Sequence, residues 1–201
     1  MKSQMITGKG EVTIPDPPFA HLLFSTTRFA WLFAIIRIYL GYQWLTAGYH
    51  KLTGGGWIDG GTALQGFWTK AAAIPAAPAK PAITYDWYRA FIQFMLDNGW
   101  YSWFAPLVAG GEFLIGVALI LGAFVGIAAF FGGFLNWNFV MAGAASTNGM
   151  LFALAIVLIL AWKVAGWYGL DRFLLPLLGT PWKGMSEQVP QTPNRPQANP
   201  I

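Results

Sequence analysis

Residues 107–131, LVAGGEFLIGVALILGAFVGIAAFF, form an apolar run that contains a single ionisable side chain, Glu112. A charge in the hydrocarbon core of a bilayer costs at least ~2.5–3.5 kcal/mol, so such a carboxylate must be protonated, paired or turned toward a polar cavity. The first apolar stretch of the chain offers one obvious partner, Arg37. The sequence therefore predicts that Arg37 and Glu112 pair inside a bundle of membrane helices.

The composition of the 201-residue chain also indicates a membrane protein. Hydrophobic residues make up 56% and charged residues 10%, whereas ordinary soluble domains carry ~25% charged residues. The 24 glycines suit close packing of membrane helices, and the 11 tryptophans suit interfacial anchors. No cysteine is present, which excludes disulfides, thiolate catalysis and cysteine-ligated zinc or iron–sulfur centres. The net charge of +4 is spread along the chain, so no nucleic-acid partner is expected.

The predicted fold is all-α, an integral membrane four-helix bundle. It comprises an N-terminal cytoplasmic arm at 1–26, a membrane domain at 27–172 and a Pro-rich, disordered C-terminal tail at 173–201. Four spans are predicted at about 28–49, 102–121, 125–141 and 150–168. Because one helix over 107–141 would be ~50 Å long, against a hydrocarbon core of ~30 Å, a tight turn is predicted near Gly122.

The long loop at 51–101 separates the first two spans. A short helix or re-entrant turn is predicted at 57–70, and an amphipathic helix on the membrane surface at 85–97. The apolar face of this second element is assigned to Trp87, Phe91, Phe94 and Met95. The sequence leaves open whether the loop packs over the bundle or lies aside.

The distribution of lysine and arginine predicts the orientation in the plasma membrane. Seven of these residues lie on the side of the two termini and four lie in the loop, which places both termini in the cytoplasm. The four basic residues of the loop would attract a small anion to the outer face. They are Lys51, Lys70, Lys80 and Arg89.

The depths of several polar residues suggest one polar path through the bundle. Arg37 and Glu112 each lie ~13 Å from the predicted cytoplasmic end of their span, and Gln43, Asn136 and Asn138 lie further toward the loop. A purely structural ion pair and a catalytic role are both open for the two charges. Interhelical hydrogen bonding and ligand contact are both open for the two asparagines.

Two segments resemble the DoxX/DoxD family of small membrane proteins. They are RIYLGYQWLTAGYHKL at 37–52, and Glu112 with LIGVALILGAFVGIAAFFGG at 114–133. The insertion WIDGGTALQGFWTKAA at 57–72 resembles the DoxD-type branch, which is associated with thiosulfate:quinone oxidoreductase. The resemblance covers about 28–172, and it implies a membrane subunit that passes electrons toward quinone, often through partner proteins.

Quinone reduction takes up two protons with two electrons, so its site needs an apolar channel, hydrogen-bond donors at the carbonyls and a titratable relay. The predicted catalytic residues are Glu112, as this relay, and Arg37. The predicted quinone or substrate contacts are Gln43, Trp44, His50, Lys51, Asn136 and Asn138. Neither heme nor metal is expected, since His21 and His50 would lie on opposite sides of the membrane.

Two functions are compatible with these residues. The first is an enzyme subunit that oxidises thiosulfate or a related small sulfur anion and passes the electrons to quinone. The second is a non-catalytic accessory subunit of a larger membrane complex. The expected partners are the lipid membrane, other membrane or extracytoplasmic subunits, and the small anion. A transporter is a distant third alternative, because the chain shows no inverted repeat.

Overall fold

The computed structural model describes residues 16–178, and no strand occurs among them. The predicted all-α class is therefore confirmed. A 3-10 turn at Thr27–Phe29 precedes the second of nine helices within this part of the chain. These are α1 (Pro18–Phe24), α2 (Ala30–Thr53), α3 (Thr62–Ala72), α4 (Asp86–Asp97), α5 (Tyr101–Leu121), α6 (Val125–Met141), α7 (Asn148–Leu160), α8 (Trp162–Ala165) and α9 (Asp171–Leu177).

The long helices lie close to the predicted spans, with one exception. Helices α5 and α6 match the predicted ranges almost residue for residue, and α2 extends a turn further than predicted, to Thr53. Helix α7 ends at Leu160 rather than near 168, because the backbone leaves the helix at Ala161 (φ −89°, ψ 11°) before the single turn of α8. The apolar pattern continues across this break, so hydropathy does not reveal it.

The tight turn between α5 and α6 lies at Gly122, as predicted. Gly122 has a φ of +68°, a left-handed conformation that glycine adopts without steric penalty and that commonly ends helices. The turn is also crowded, since a Cβ atom at Gly122 would lie 2.8 Å from Cζ of Arg37. Glycine is therefore required here on two grounds.

Helices α2 and α5 pack antiparallel along much of their length. A Cβ atom at Gly48 would lie 2.3 Å from the backbone nitrogen of Phe113, and one at Gly116 would lie 2.3 Å from that of Leu45. The two glycines thus bring the helix backbones together, as small residues do in membrane helix pairs. This contact also fixes the register between the helices.

Helices α2, α5, α6 and α7 enclose the main apolar core. Helix α6 packs along α7, and α7 contacts α2. The core includes Phe33, Leu40, Leu119, Val125 and Leu158.

We name the two ends of this bundle by the segments that they carry. The terminal end carries α1, α8, α9 and the α5–α6 turn, and the loop end carries the 51–101 segment.

The 51–101 segment packs over the loop end of the bundle. Helix α3 contacts both α4 and α5, and these helices form a second apolar cluster. The face of α4 that packs inward carries Tyr88, Ile92 and Met95. Of the predicted apolar face, Met95 is buried, whereas the aromatic residues Trp87, Phe91 and Phe94 are exposed.

The ends of the chain are only partly covered by the structure. Residues 173–177 belong to α9, so the prediction of a disordered tail from 173 onward is wrong at its start. Asp171 and Leu175 are buried and anchor this helix to the bundle. The rest of the predicted tail, from 179, and residues 1–15 of the predicted arm lie outside the described residues.

Within residues 16–178, one helix, α5, is long and apolar enough to cross a membrane by length and composition. A second such span results if α1 and Thr27–Thr53, which are bent by 53° at their junction, are counted together. Helices α6 and α7 are apolar but shorter. In α5, 39% of the most apolar window is buried inside the structure, so most of this window faces outward.

Candidate functional site

Glu112 is paired with Lys51, and the predicted pair of Arg37 with Glu112 is wrong. The ammonium of Lys51 donates a hydrogen bond to Oε2 of Glu112. The carboxylate is buried, with 1% of the side chain exposed, whereas 18% of the Lys51 side chain is exposed. Arg37 instead binds carbonyls near Ile120, which lies about eight residues, ~12 Å, from Glu112 along α5.

The stagger between α2 and α5 explains this difference. The prediction places Arg37 and Glu112 at the same depth in the membrane. This requires residue 121, at the end of α5, to lie at the same height along the bundle as residue 28. In the structure the end of α5 lies level with Arg37. The first turns of α2 therefore extend beyond the α5–α6 turn, where α2 contacts α8.

Arg37 caps the C-terminus of α5. Its Nη1 donates to the carbonyl oxygens of Leu119 at 2.6 Å and Ile120 at 2.7 Å, and its Nη2 donates to that of Tyr168 at 2.7 Å. The last carbonyls of a helix lack partners within the helix, and the helix dipole favours a cation there. Arg37 therefore ties the end of α5 to the segment that precedes α9.

Asp171 has the complementary position at the start of α6, although it is not among the residues predicted from the sequence. Its carboxylate accepts the backbone N–H of Phe124 and, at 2.9 Å, that of Val125. Burial raises the pKa of Asp171, while these two N–H groups and Arg37 act in the opposite direction. Asp171 is the one acidic residue in 113–178, and this isolation is the signal that could have identified it.

A polar cavity of about 250 Å³ lies at the loop end of the bundle, between α2, α5, α6 and α7. Its polar lining consists of Gln43, Trp44, Lys51, Glu112, Thr147 and Asn148. Thr147 is exposed and Asn148 is half-buried, so the cavity opens beside the start of α7. The structure thus brings together Gln43, Trp44, Lys51 and Glu112, which were predicted from three separate arguments.

Three buried polar atoms at or beside this cavity have no hydrogen-bond partner within the described part of the chain. They are Oε1 of Glu112, Nε1 of Trp44 and Oδ1 of Asn136. Asn136 adjoins the cavity because its Nδ2 donates to Oδ1 of Asn148 at 3.0 Å. A buried polar group without a partner costs ~1–3 kcal/mol, so these atoms mark a place where a bound molecule or water completes the structure.

An apolar cavity of about 310 Å³ lies beside the polar one, between α3, α4, α5 and α6. Its lining includes the aromatic residues Phe67, Trp68, Tyr88, Phe91, Phe104, Phe134 and Phe139. Phe139 lines both cavities. The predicted contact residue Asn138 belongs to the apolar cavity, where its side-chain and backbone oxygens each accept the Tyr88 hydroxyl at 3.1 Å. Burial raises the pKa of Tyr88 to about 12.

The remaining predicted residues lie elsewhere. His50 is exposed, its ring lies 6.1 Å from that of Tyr49, and it lines neither cavity. Among the loop cations, Lys51 pairs with Glu112, and Arg89 binds both Asp86 and the carbonyl of Ile83. The remaining loop charges are Lys70 and Lys80 against Asp59 and Asp97, all of them exposed, so the net positive potential expected at the outer face is not found.

Comparisons of the chain with family models, curated proteins and solved structures find no match. The resemblance to the DoxX/DoxD family accordingly stays a prediction from the sequence. Within residues 16–178, no three His, Asp or Glu side chains lie together as metal ligands would. The function must therefore be argued from the two cavities and the charges beside them.

Proposed function

We propose that this chain is a multi-pass protein of the plasma membrane, crossed by α2, α5, α6 and α7, with both termini in the cytoplasm. The outward faces of α5 and α6 support this proposal, because Leu107, Leu114, Ile127 and Phe131 are among many large apolar side chains exposed there. Soluble monomers rarely expose contiguous apolar patches of this kind. Helix α6, with 17 residues, rises ~26 Å at 1.5 Å per residue, close to the thickness of the hydrocarbon core.

Within this membrane bundle, we propose that the polar cavity binds the head group of a quinone. The observation that carries the proposal is that Glu112 and Trp44 line one cavity, while Oε1 of Glu112 and the indole N–H of Trp44 have no hydrogen-bond partner within the described part of the chain. A quinone oxygen accepts a hydrogen bond, and the hydroxyl of the reduced quinol donates one. The indole N–H and the Lys51 ammonium suit the first state, and the Glu112 oxygen suits the second.

The same residues suit the chemistry of reduction. When a quinone receives two electrons and two protons, negative charge develops on its oxygens, and fixed hydrogen-bond donors stabilise that charge. In this proposal Glu112 passes one proton to a quinone oxygen, Lys51 compensates the carboxylate left behind, and the second proton comes from solvent at the opening of the cavity beside Thr147. Replacement of such an acid–base group commonly lowers a rate ~10²–10⁴-fold.

We further propose a small sulfur anion, with thiosulfate as the first candidate, as the electron donor. Two thiosulfate anions joined by a new sulfur–sulfur bond release two electrons, which balances the reduction of one quinone. The resemblance to the DoxD-type branch supports this donor. Lys70 and Lys80 are exposed cations of the loop that would contact such an anion directly.

Thiosulfate-dependent reduction of a soluble quinone by the purified protein tests this function. We expect the wild type to be active and Glu112→Gln to lose at least ~10-fold of the rate, on the lower side of acid–base effects. Asp97→Asn is the matched control, since Asp97 is an exposed acid on α4 that accepts only from Gln93 among its described contacts. A wild type that reduces no quinone, alone or with co-purifying proteins, would overturn the redox function.

The second candidate is a non-catalytic subunit of a larger membrane complex. It is favoured by the positions of Arg37 and Asp171, which cap helices at the terminal end and contact neither cavity. It is also favoured by the absence of cysteine ligands for an electron carrier in the sequence. For this function, Glu112→Gln changes stability, and no quinone dependence is measurable in the wild type.

A further inference from the structure

We propose that the apolar cavity is a binding site for a single hydrocarbon chain, which enters from the side of the bundle between α4 and α6. The cavity has room for a ligand of appreciable size, at about 310 Å³. Apolar cavities of this kind stay dry and bind apolar molecules. The site is separate from the polar cavity and is not needed for the assignment of the head-group site.

The Tyr88 hydroxyl and the Asn138 amide in the lining are already hydrogen-bonded and do not call for a polar ligand. The Tyr88 hydroxyl donates toward Asn138, and Nδ2 of Asn138 donates to the carbonyl of Phe134 at 2.8 Å. The rest of the lining is aromatic or aliphatic. A ligand therefore gains from this cavity by removing its own apolar surface from the surroundings, as an alkyl or isoprenoid chain does.

The outer wall of the cavity faces sideways, away from the bundle axis. Phe91 of α4 is 45% exposed and Phe134 of α6 is 52% exposed, whereas Ile92 and Met95 on the inner wall are each 2% exposed. The surface around this wall carries further exposed aromatic residues, Trp87, Phe94 and Trp137. A chain that enters between Phe91 and Phe134 comes from an apolar environment, as a lipid chain would.

Phe139 connects the proposed chain site to the polar cavity. Its ring belongs to the linings of both cavities, so a chain in the apolar cavity ends beside the polar one. An amphiphile with a short polar head thus places its chain among the aromatic rings and its head near Lys51 and Glu112. The identity of the head group rests on the proposed function, in which the amphiphile is a quinone with a hydrocarbon tail. An acyl lipid supplies the same chain chemistry.

Photolabelling with a fatty acid that carries a diazirine in its chain tests the site. We expect saturable labelling of lining residues on α4 and α6, such as Ile92 and Leu135, in the wild type in detergent. Ala142→Trp places a ring inside the cavity, because Ala142 is a buried lining residue, and should lower this labelling at least tenfold. Ile127→Trp adds the same ring to an exposed position of α6 and should leave it unchanged.

Val108→Phe fills the cavity from α5 and serves as a second variant if Ala142→Trp does not fold. Labelling that does not saturate, or that is equal in the filled variants and the wild type, overturns the chain site. Competition with unlabelled ligands distinguishes a quinone tail from an acyl lipid as the source of the hydrocarbon chain. A tailed quinone that displaces the probe, while a tailless quinone does not, supports both proposals. Saturable labelling that only acyl lipids displace supports the chain site and counts against the quinone.

Discussion

The ammonium of Lys51 and the carboxylate of Glu112 form an ion pair between the C-terminal half of α2 and the middle of α5. The ammonium also lies 4.8 Å from the ring centre of Trp57 and 5.3 Å from that of Phe139, where cation–π attraction holds it. The carboxylate is the more deeply buried partner. The pair therefore fixes a charged group at the wall of the polar cavity.

The unequal burial of this pair predicts unequal effects of removing its partners. Lys51→Met leaves a buried carboxylate without compensation, and we expect a loss of ~3–5 kcal/mol. Glu112→Gln leaves an ammonium that can reach solvent, and we expect a loss of about 1–2 kcal/mol. The measurement is the free energy of unfolding in detergent. Equal losses, or a larger loss for Glu112→Gln, would contradict the assigned burial.

The cap provided by Asp171 predicts a second effect on stability. In Asp171→Asn the amide retains one acceptor oxygen but presents an NH₂ group to the second backbone N–H, so one charge-assisted bond at the α5–α6 turn is lost. We expect a loss of ~1.5–3 kcal/mol in the free energy of unfolding. Asp59→Asn is the control, since Asp59 is exposed in the 51–101 segment, and it should change stability by less than ~0.5 kcal/mol.

Two glycines of the same helix test the contact between α2 and α5. Gly116→Ala forces a methyl group against the backbone of Leu45, so the helices must separate, and we expect a loss of ~1–3 kcal/mol. Nothing lies within 4 Å of a Cβ atom at Gly110. Gly110→Ala should therefore stabilise α5 by ~0.5–1 kcal/mol. A thermal unfolding midpoint that moves in the same direction for both variants would contradict the described packing.

The sequence predicted the positions of the long helices well. It did not predict how far α2 and α5 are shifted relative to each other along their axes. Helix α5, helix α6 and the turn at Gly122 follow from local signals, namely apolar length and a glycine where the chain must reverse. The partner of Glu112 depends on how far α2 slides along α5. That distance is set by the contacts of Gly48 and Gly116 with the opposite backbone, which apolar periodicity does not report.

The candidate site was predicted in part. Glu112 was identified as a charge in an apolar run, Gln43 by its depth on the same path, and Trp44 and Lys51 through the segment that carries the family resemblance. These four residues line one cavity. Asp171 was missed because it follows the last predicted span and caps a helix 46 residues earlier in the chain. The aromatic cavity was missed because it depends on α3 and α4 packing over the loop end.

The absence of cysteine from the sequence allows a clean test of the proposed membrane topology. Single cysteines are introduced at two exposed positions, Ala76 in the loop and Thr27 at the terminal end. In intact cells, a membrane-impermeant maleimide should label Ala76→Cys and should label Thr27→Cys only after permeabilisation. Labelling of Thr27→Cys in intact cells would contradict a cytoplasmic N-terminus, and labelling of both variants would contradict a crossing of the membrane by α2 between them.

Binding of a short-chain quinone to the purified protein, measured by equilibrium dialysis in detergent, tests the central proposal most directly. The variant Trp44→Phe combined with Glu112→Gln removes the unpartnered donor and acceptor of the polar cavity. Its control combines Trp103→Phe with Asp97→Asn, an exposed tryptophan and an exposed acid. We expect one saturable site in the wild type and in the control, with the Kd of the cavity variant raised at least ~10-fold, or ~1.4 kcal/mol. The same Kd in all three proteins, or no saturable binding to the wild type, would contradict a quinone site beside Lys51 and Glu112.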